Sequence, residues 1–98
     1  MTDCLDDGGM GKAVEVRITG MVQGVSFRAY AREQARELGV TGWIRNEREG
    51  SVAGHCEGPD AAVDALVDWC WDGPASAEVT DVVVSDAAPT GARTFVIG

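Results

Sequence analysis

Two helical patterns lie on either side of a hairpin pattern, and this order limits the folds that are open to the chain. In the first helix, apolar residues recur at intervals of four, four and three from Phe27 to Leu38. The second helix opens at Pro59-Asp60, with the proline suited to its first turn, and is ended by Gly73-Pro74. We expect both helices to bury one apolar face against a common sheet.

Strand patterns account for most of the remaining chain. Apolar and polar residues alternate from Ala13 to Thr19, and β-prone residues occupy four later stretches: 41–47, 51–57, 78–85 and 95–97. The order is therefore βαββαβ with a short fifth strand. This order predicts an α+β fold, a ferredoxin-like α/β sandwich with two helices on one face of a mainly antiparallel sheet. Phe27 and Trp43 are predicted to be aromatic residues of its core.

The 98 residues suffice for one domain, which we place at residues 13–98. Residues 1–12 are polar and show no periodicity, so a flexible tail is predicted there. The sequence has no apolar run of the roughly 20 residues that span a bilayer, and its start lacks the pattern of a secretory signal. We therefore expect a cytoplasmic protein with no membrane association. Separately, we expect the protein to be a monomer.

The charge balance argues against nucleic acid as a partner. Sixteen Asp and Glu residues and eight Lys and Arg residues give a formal net charge of -8. Such a field repels polyphosphate. The bases are seven arginines and a single lysine, Lys12. Two origins of this composition stay open: a surface adapted to high salt, and a GC-rich genome that replaces Lys by Arg.

The three cysteines and the single histidine do not form a recognisable metal site. Cys4, Cys56 and Cys70 have neither a C-x-x-C pair nor zinc-ligand spacing, and His55 lies beside Cys56 on a predicted strand, where neighbours point to opposite faces. An odd number of cysteines fits a disulfide scaffold poorly, so reduced thiols in buried or half-buried positions are predicted. His55 is predicted to be a strand side chain rather than a general base.

The stretch from Gly20 to Ser26, called the glycine loop below, connects the first strand to the first helix. Its glycines at positions 20 and 24 allow a sharp turn with positive φ, which directs backbone N–H groups inward. The positive end of the following helix adds to this field, so the loop is predicted to hold an anion. A Walker-type nucleotide site is disfavoured because no Gly-Lys-Ser/Thr follows.

Arg28 lies in the first turn of that helix, where the helix dipole opposes a cation by about 0.3–1 kcal/mol. A bound anion would reverse this cost, and a planar guanidinium can grip two phosphate oxygens at once. The alternative is that Arg28 belongs to a solvated row with Arg32 and Arg36 on one helical face.

Two motifs in the chain resemble the signatures of acylphosphatases. The first is Gly20-Met21-Val22-Gln23-Gly24-Val25-Ser26-Phe27-Arg28, which is similar to the family's G-x-V-Q-G-V-x-F-R signature. The second is Gly42-Trp43-Ile44-Arg45-Asn46, followed by Gly50, Val52 and Gly58. The resemblance runs from about Val14 to Ile97. It implies hydrolysis of the carboxyl–phosphate bond of small acyl phosphates to carboxylate and inorganic phosphate.

The resemblance also implies residue roles. Arg28 would clamp the phosphate oxygens, Asn46 would hold the attacking water, and loop amides would cradle the phosphate. The residues assigned to this cradle are Gly20, Met21, Val22, Gln23, Gly24 and Val25. The family needs no metal or other cofactor and forms no phosphoenzyme. Outside this motif, Asn46 would be taken as a turn residue that satisfies backbone groups.

Two other classes of function stay open. One is a non-catalytic module that binds phosphate or carbamoyl phosphate, of the kind found at the front of hydrogenase-maturation carbamoyltransferases. The other is an RNA-binding module of the same fold, although the sequence lacks the basic surface and the pair of exposed sheet aromatics that such modules use. Competition by millimolar phosphate would separate them, because only an anion cradle responds to it.

Overall fold

Residues 11–98 are described by the structure, which is a computed structural model. The elements follow the predicted order: β1 (Gly11–Met21), α1 (Phe27–Leu38), β2 (Thr41–Asn46), β3 (Val52–Pro59), α2 (Asp60–Asp72), β4 (Glu78–Asp86) and β5 (Phe95–Ile97). The first strand begins at Gly11, two residues ahead of the predicted domain boundary, so residues 11 and 12 do not belong to a tail. The rest of the predicted tail lies outside the described residues.

The five strands form one sheet in the order β4-β1-β3-β2-β5. Among the strands of residues 11–98, three of the four pairs are antiparallel, and β5 runs parallel to its neighbour β2. The β2–β3 hairpin pairs with β1 through β3, so β1 lies between β4 and β3 in the interior of the sheet. The predicted ferredoxin-like sandwich is confirmed.

The core lies between the sheet and the two helices. Alternate residues of β1 point to it because successive side chains of a strand leave on opposite faces. Its most deeply buried members include Ile18, Phe27 and Leu66, each at most 1% exposed. Each such side chain contributes about 1.5–3 kcal/mol on burial. The helices supply the opposite layer through the residues Phe27, Ala31, Ala35, Val63, Leu66 and Cys70.

The bounds of α1 agree with the sequence prediction at both ends. The helix begins at Phe27 and stops at Gly39, whose φ of 78° is left-handed. A carbonyl of the last turn is satisfied because the Val40 N–H donates to Ala35 O at 2.8 Å. The glycine therefore ends the helix through the backbone conformation that it alone adopts without strain.

The prediction that Trp43 belongs to the core is wrong, whereas Phe27 is buried there. Trp43 lies on the sheet face that points away from the helices, because Gly42 and Ile44 occupy the core side of β2. Its ring stacks on that of His55, with centroids 6.3 Å apart, and the Arg45 guanidinium lies 4.6 Å from the ring centroid. The tryptophan thus covers the outer face of β3.

Cys56 and Cys70 are free, buried thiols, as the sequence predicts. Burial raises the pKa of each thiol to about 12, so both stay protonated at neutral pH. Cys4 lies outside the described residues.

Within residues 11–98, no helix is long and apolar enough to cross a membrane. The cytoplasmic location and the monomeric state stay predictions.

Candidate active site

The glycine loop begins at a β-bulge within the sheet, where the pairing register of β1 with β4 shifts between Thr19 and Gly20. Gly20 has a φ of 125°, and a Cβ at this position would collide with the carbonyl oxygen of Glu78. Gly24 has a φ of 76°, and a Cβ at this position would meet no other atom of residues 11–98. A glycine is therefore favoured here by the backbone conformation and not by lack of space. Because β1 extends to Met21, Gly20 and Met21 belong to the strand.

The N-terminus of α1 is left open to a ligand. Within residues 11–98, the backbone N–H groups of residues 22–28 donate to no protein acceptor. Ser26, the residue before the helix, has a left-handed φ of 62° and makes no capping hydrogen bond with its side chain. The first turn of α1 holds no acidic residue, whereas that of α2 holds Asp60. The positive end of α1 is therefore neither capped nor neutralised by a carboxylate.

Arg28 and Asn46 meet at one cleft of about 360 Å³. The helix brings the arginine, the end of β2 brings the asparagine, and the glycine loop forms the wall between them. The full lining is Val22, Gly24, Ser26, Phe27, Arg28, Ala29, Asn46 and Ile97. Arg28 is half-buried as a residue, and its Nη1 donates to Gly98 O at 3.4 Å in an exposed contact at the limit of hydrogen bonding. The contact places the guanidinium beside Gly98, the residue that follows Ile97 at the end of β5.

Asn46 is exposed, and its amide makes no hydrogen bond to any other side chain or backbone group in residues 11–98. The following turn is closed by the backbone itself, since Glu47 N donates to Ser51 O at 2.8 Å and Gly50 N to Glu47 O at 3.1 Å. The interpretation of Asn46 as a residue that satisfies turn groups therefore has no support. Its amide is free to bind a ligand or a water molecule.

The side chains of Gln23 and Val25 turn away from the cleft, and both residues connect the loop to neighbouring elements. Gln23 Nε2 donates to Glu47 O at 2.7 Å and to Ser51 O at 2.8 Å. Val25 packs against the core, and its carbonyl accepts from Ser76 Oγ at 3.1 Å. Of the six residues predicted to cradle phosphate, only Val22 and Gly24 line the cleft.

Sequence reasoning missed Ile97 and the side-chain contacts of Gln23. No local signal marks Ile97, because its place at the cleft depends on the parallel pairing of β5 with β2. His55, the single histidine, lies 3% exposed on the other face of the sheet, with Nε2 2.7 Å from Glu57 Oε2. It is a strand side chain, as predicted. Within residues 11–98, no three His, Cys, Asp or Glu side chains are grouped to hold a metal ion.

These features define a ferredoxin-like α+β protein whose cleft, with free N–H groups and a guanidinium, suits a phosphoryl ligand. The acylphosphatase family model matches residues 14–97, and the chain belongs to the acylphosphatase family. Family and fold together support acylphosphatase activity, a hydrolase activity that implies a small acyl phosphate as substrate and phosphate as product.

Individual relatives match over most of their length. An acylphosphatase of a Nocardioides species is 56% identical over 90 residues, which are 92% of this chain and 91% of the relative. An acylphosphatase of Rhizobium meliloti is 50% identical over 86 residues, covering 84% and 90% of the two chains. The solved acylphosphatase from Coxiella burnetii superposes with a TM-score of 0.90 at 29% identity, covering 97% of this chain and 100% of that one.

Proposed function

We propose that the chain hydrolyses the carboxyl–phosphate bond of small acyl phosphates by direct in-line attack of a water molecule. One observation carries the proposal: Arg28 and Asn46, from different elements, line the same cleft as the unpaired N–H groups of the glycine loop. A cation, a set of fixed dipoles and a free amide are what phosphoryl transfer to water requires, since it depends on positioning and charge stabilisation.

In this proposal, the phosphate group sits at the N-terminus of α1. Its oxygens accept hydrogen bonds from N–H groups of residues 22–28, and the Arg28 guanidinium binds two oxygens at once. The absence of an acidic residue in the first turn of α1 supports this placement, because a carboxylate there would compete with the phosphate. These donors are fixed before the substrate binds, so they stabilise the charge of the transition state without rearrangement.

Asn46 holds the attacking water through its side-chain oxygen. The water oxygen forms a new bond to phosphorus while the bond from phosphorus to the acyl oxygen breaks, and the carboxylate leaves with the bonding electrons. The proton released by the water passes to the product phosphate or to solvent. A carboxylate is a good leaving group, so the step needs no strong general acid. The proposed reaction uses neither a metal ion nor a phosphoenzyme.

The test is hydrolysis of benzoyl phosphate in the presence of EDTA by the wild type, R28A and N46A. Turnover by the wild type, lost in both variants, supports the proposal. Turnover that requires an added metal ion contradicts the metal-free mechanism. If the wild type shows no turnover at low or high salt but binds millimolar phosphate, the chain is a phosphate-binding module instead.

A further inference from the structure

We infer that the side chain of Gln23 is a positioning residue, which sets the distance between the phosphate held by the glycine loop and the water held by Asn46. This inference rests on the proposed function. It concerns a side chain that does not line the cleft and therefore does not touch the substrate.

The geometry of the Gln23 amide supports this role. Its nitrogen carries two hydrogens, and both have acceptors: Glu47 O at 2.7 Å and Ser51 O at 2.8 Å. These carbonyls belong to the two ends of the β2–β3 turn. The turn is closed by a hydrogen bond of 2.8 Å that Glu47 N donates to Ser51 O. A single side chain therefore fastens the loop to both ends of the turn.

The hydrogen bond from Gln23 to Glu47 joins two residues that are each next in sequence to a residue of the cleft. Gln23 precedes Gly24, which lines the cleft, and Glu47 follows Asn46, which lines it from the other side. Arg28 lies on α1 directly after the loop, whereas Asn46 lies at the end of β2. Apart from this amide, no side-chain hydrogen bond within residues 11–98 links residues 22–26 to β2 or to its turn. Without the amide, the loop and Arg28, which bind the phosphate, would keep their positions relative to each other. They would be free to shift relative to Asn46.

The experiment is a double-mutant cycle on benzoyl phosphate hydrolysis with Q23M and N46A. Methionine matches glutamine in length but has no N–H donor. Since a displacement of about 1 Å can cost about 100-fold in rate, we expect Q23M to lower kcat about 10- to 100-fold. Inhibition by inorganic phosphate should change less than about 3-fold. In the N46A background, Q23M should lower kcat less than about 3-fold further, because no held water remains to be misplaced.

The matched control is S76A, which removes the tether from Ser76 to the carbonyl of Val25 in the same loop but on the side away from β2. It should keep kcat within about 2-fold of the wild type. All rates are taken at least about 20 °C below the Tm of each variant, so a purely structural role for Gln23 would lower Tm and leave kcat unchanged. If Q23M does not fold, Q23L, which is also uncharged and has no N–H donor in its side chain, replaces it in the same cycle.

Two results overturn the inference while the proposed function stands: wild-type kcat in Q23M, or losses from Q23M and N46A that multiply in the double variant. If N46A itself keeps wild-type kcat, Gln23 has no water-holding residue to position, and the inference fails with that role of Asn46. If the wild type does not hydrolyse benzoyl phosphate, the proposed function fails and the inference with it.

Discussion

The Glu57 carboxylate on β3 holds Thr90, in the connection from β4 to β5, through both the backbone and the side chain. Oε2 lies 2.7 Å from Thr90 N and 2.5 Å from Thr90 Oγ1, and Oε1 lies 3.3 Å from Gly91 N. His55 Nε2 is the donor toward the same carboxylate, because an ionised carboxylate only accepts. The connection leads into β5, so Glu57 fixes the approach of the strand that brings Ile97 to the cleft.

The hydrogen bonds to the Glu57 carboxylate make the stability of the fold depend on pH in the acid range. Burial would raise the pKa of Glu57, but hydrogen bonds from Thr90, His55 and Gly91 outweigh burial and lower it from 4.5 to about 2. A lowered folded-state pKa stabilises the fold above pH 4.5, and this stabilisation is lost as pH falls from 4.5 to about 2. We expect the Tm of the wild type to fall more steeply over this range than that of E57Q, measured by circular dichroism.

At pH 7, E57Q should have a Tm at least about 5 °C below the wild type. One carboxylate oxygen is replaced by an NH₂ group, which cannot accept the hydrogen bonds that Thr90 and Gly91 donate. The control is E37Q, which changes an exposed carboxylate on α1. It should keep the wild-type slope of Tm against pH. Equal slopes for the wild type and E57Q would show that Glu57 does not carry the acid sensitivity.

Arg28 should be replaceable neither by alanine nor by lysine. We expect R28A to lose roughly three or more orders of magnitude in kcat/KM for benzoyl phosphate, comparable to removal of a charge-stabilising arginine in other phosphoryl transfers. R28K should recover little of this loss, because a point charge cannot reproduce the planar fork. Near wild-type turnover in either variant would contradict the assigned mechanism.

Asn46 should separate binding from turnover. Since the phosphate is held by the loop and Arg28, N46A should keep phosphate inhibition within about 3-fold of the wild type while kcat falls about 100- to 1000-fold. The measurement is steady-state hydrolysis with inorganic phosphate as competitor. Weak phosphate binding in N46A would instead make Asn46 a residue that maintains the structure of the cleft.

The acidic composition predicts a salt effect on stability. With a formal net charge of -8, thermal melts should show Tm rising as KCl increases to about 0.15 M, where the Debye length falls to about 8 Å. A rise that continues to molar KCl would indicate a surface adapted to salt, and a plateau would favour the GC-rich origin of the composition. A Tm that does not change at low salt would show that charge repulsion does not limit stability.

The sequence by itself determined the local elements, and it singled out two residues, Arg28 and Asn46, that line one cleft in the structure. Periodicity and a terminal glycine predicted α1 at Phe27–Leu38, because an amphipathic stripe and a left-handed stop are properties of consecutive residues. The two motifs singled out Arg28 and Asn46 for the same reason, since each motif is a short contiguous stretch.

The tertiary structure decided what depends on pairing between distant segments. The register of β2 in the sheet placed Trp43 on the outer face, although its residue type suggested the core. The parallel pairing of β5 with β2 brought Ile97 to the cleft, and the hairpin turn supplied the two carbonyls that Gln23 binds. Sequence patterns report neighbours along the chain, whereas these contacts arise only once the sheet has brought separate strands together.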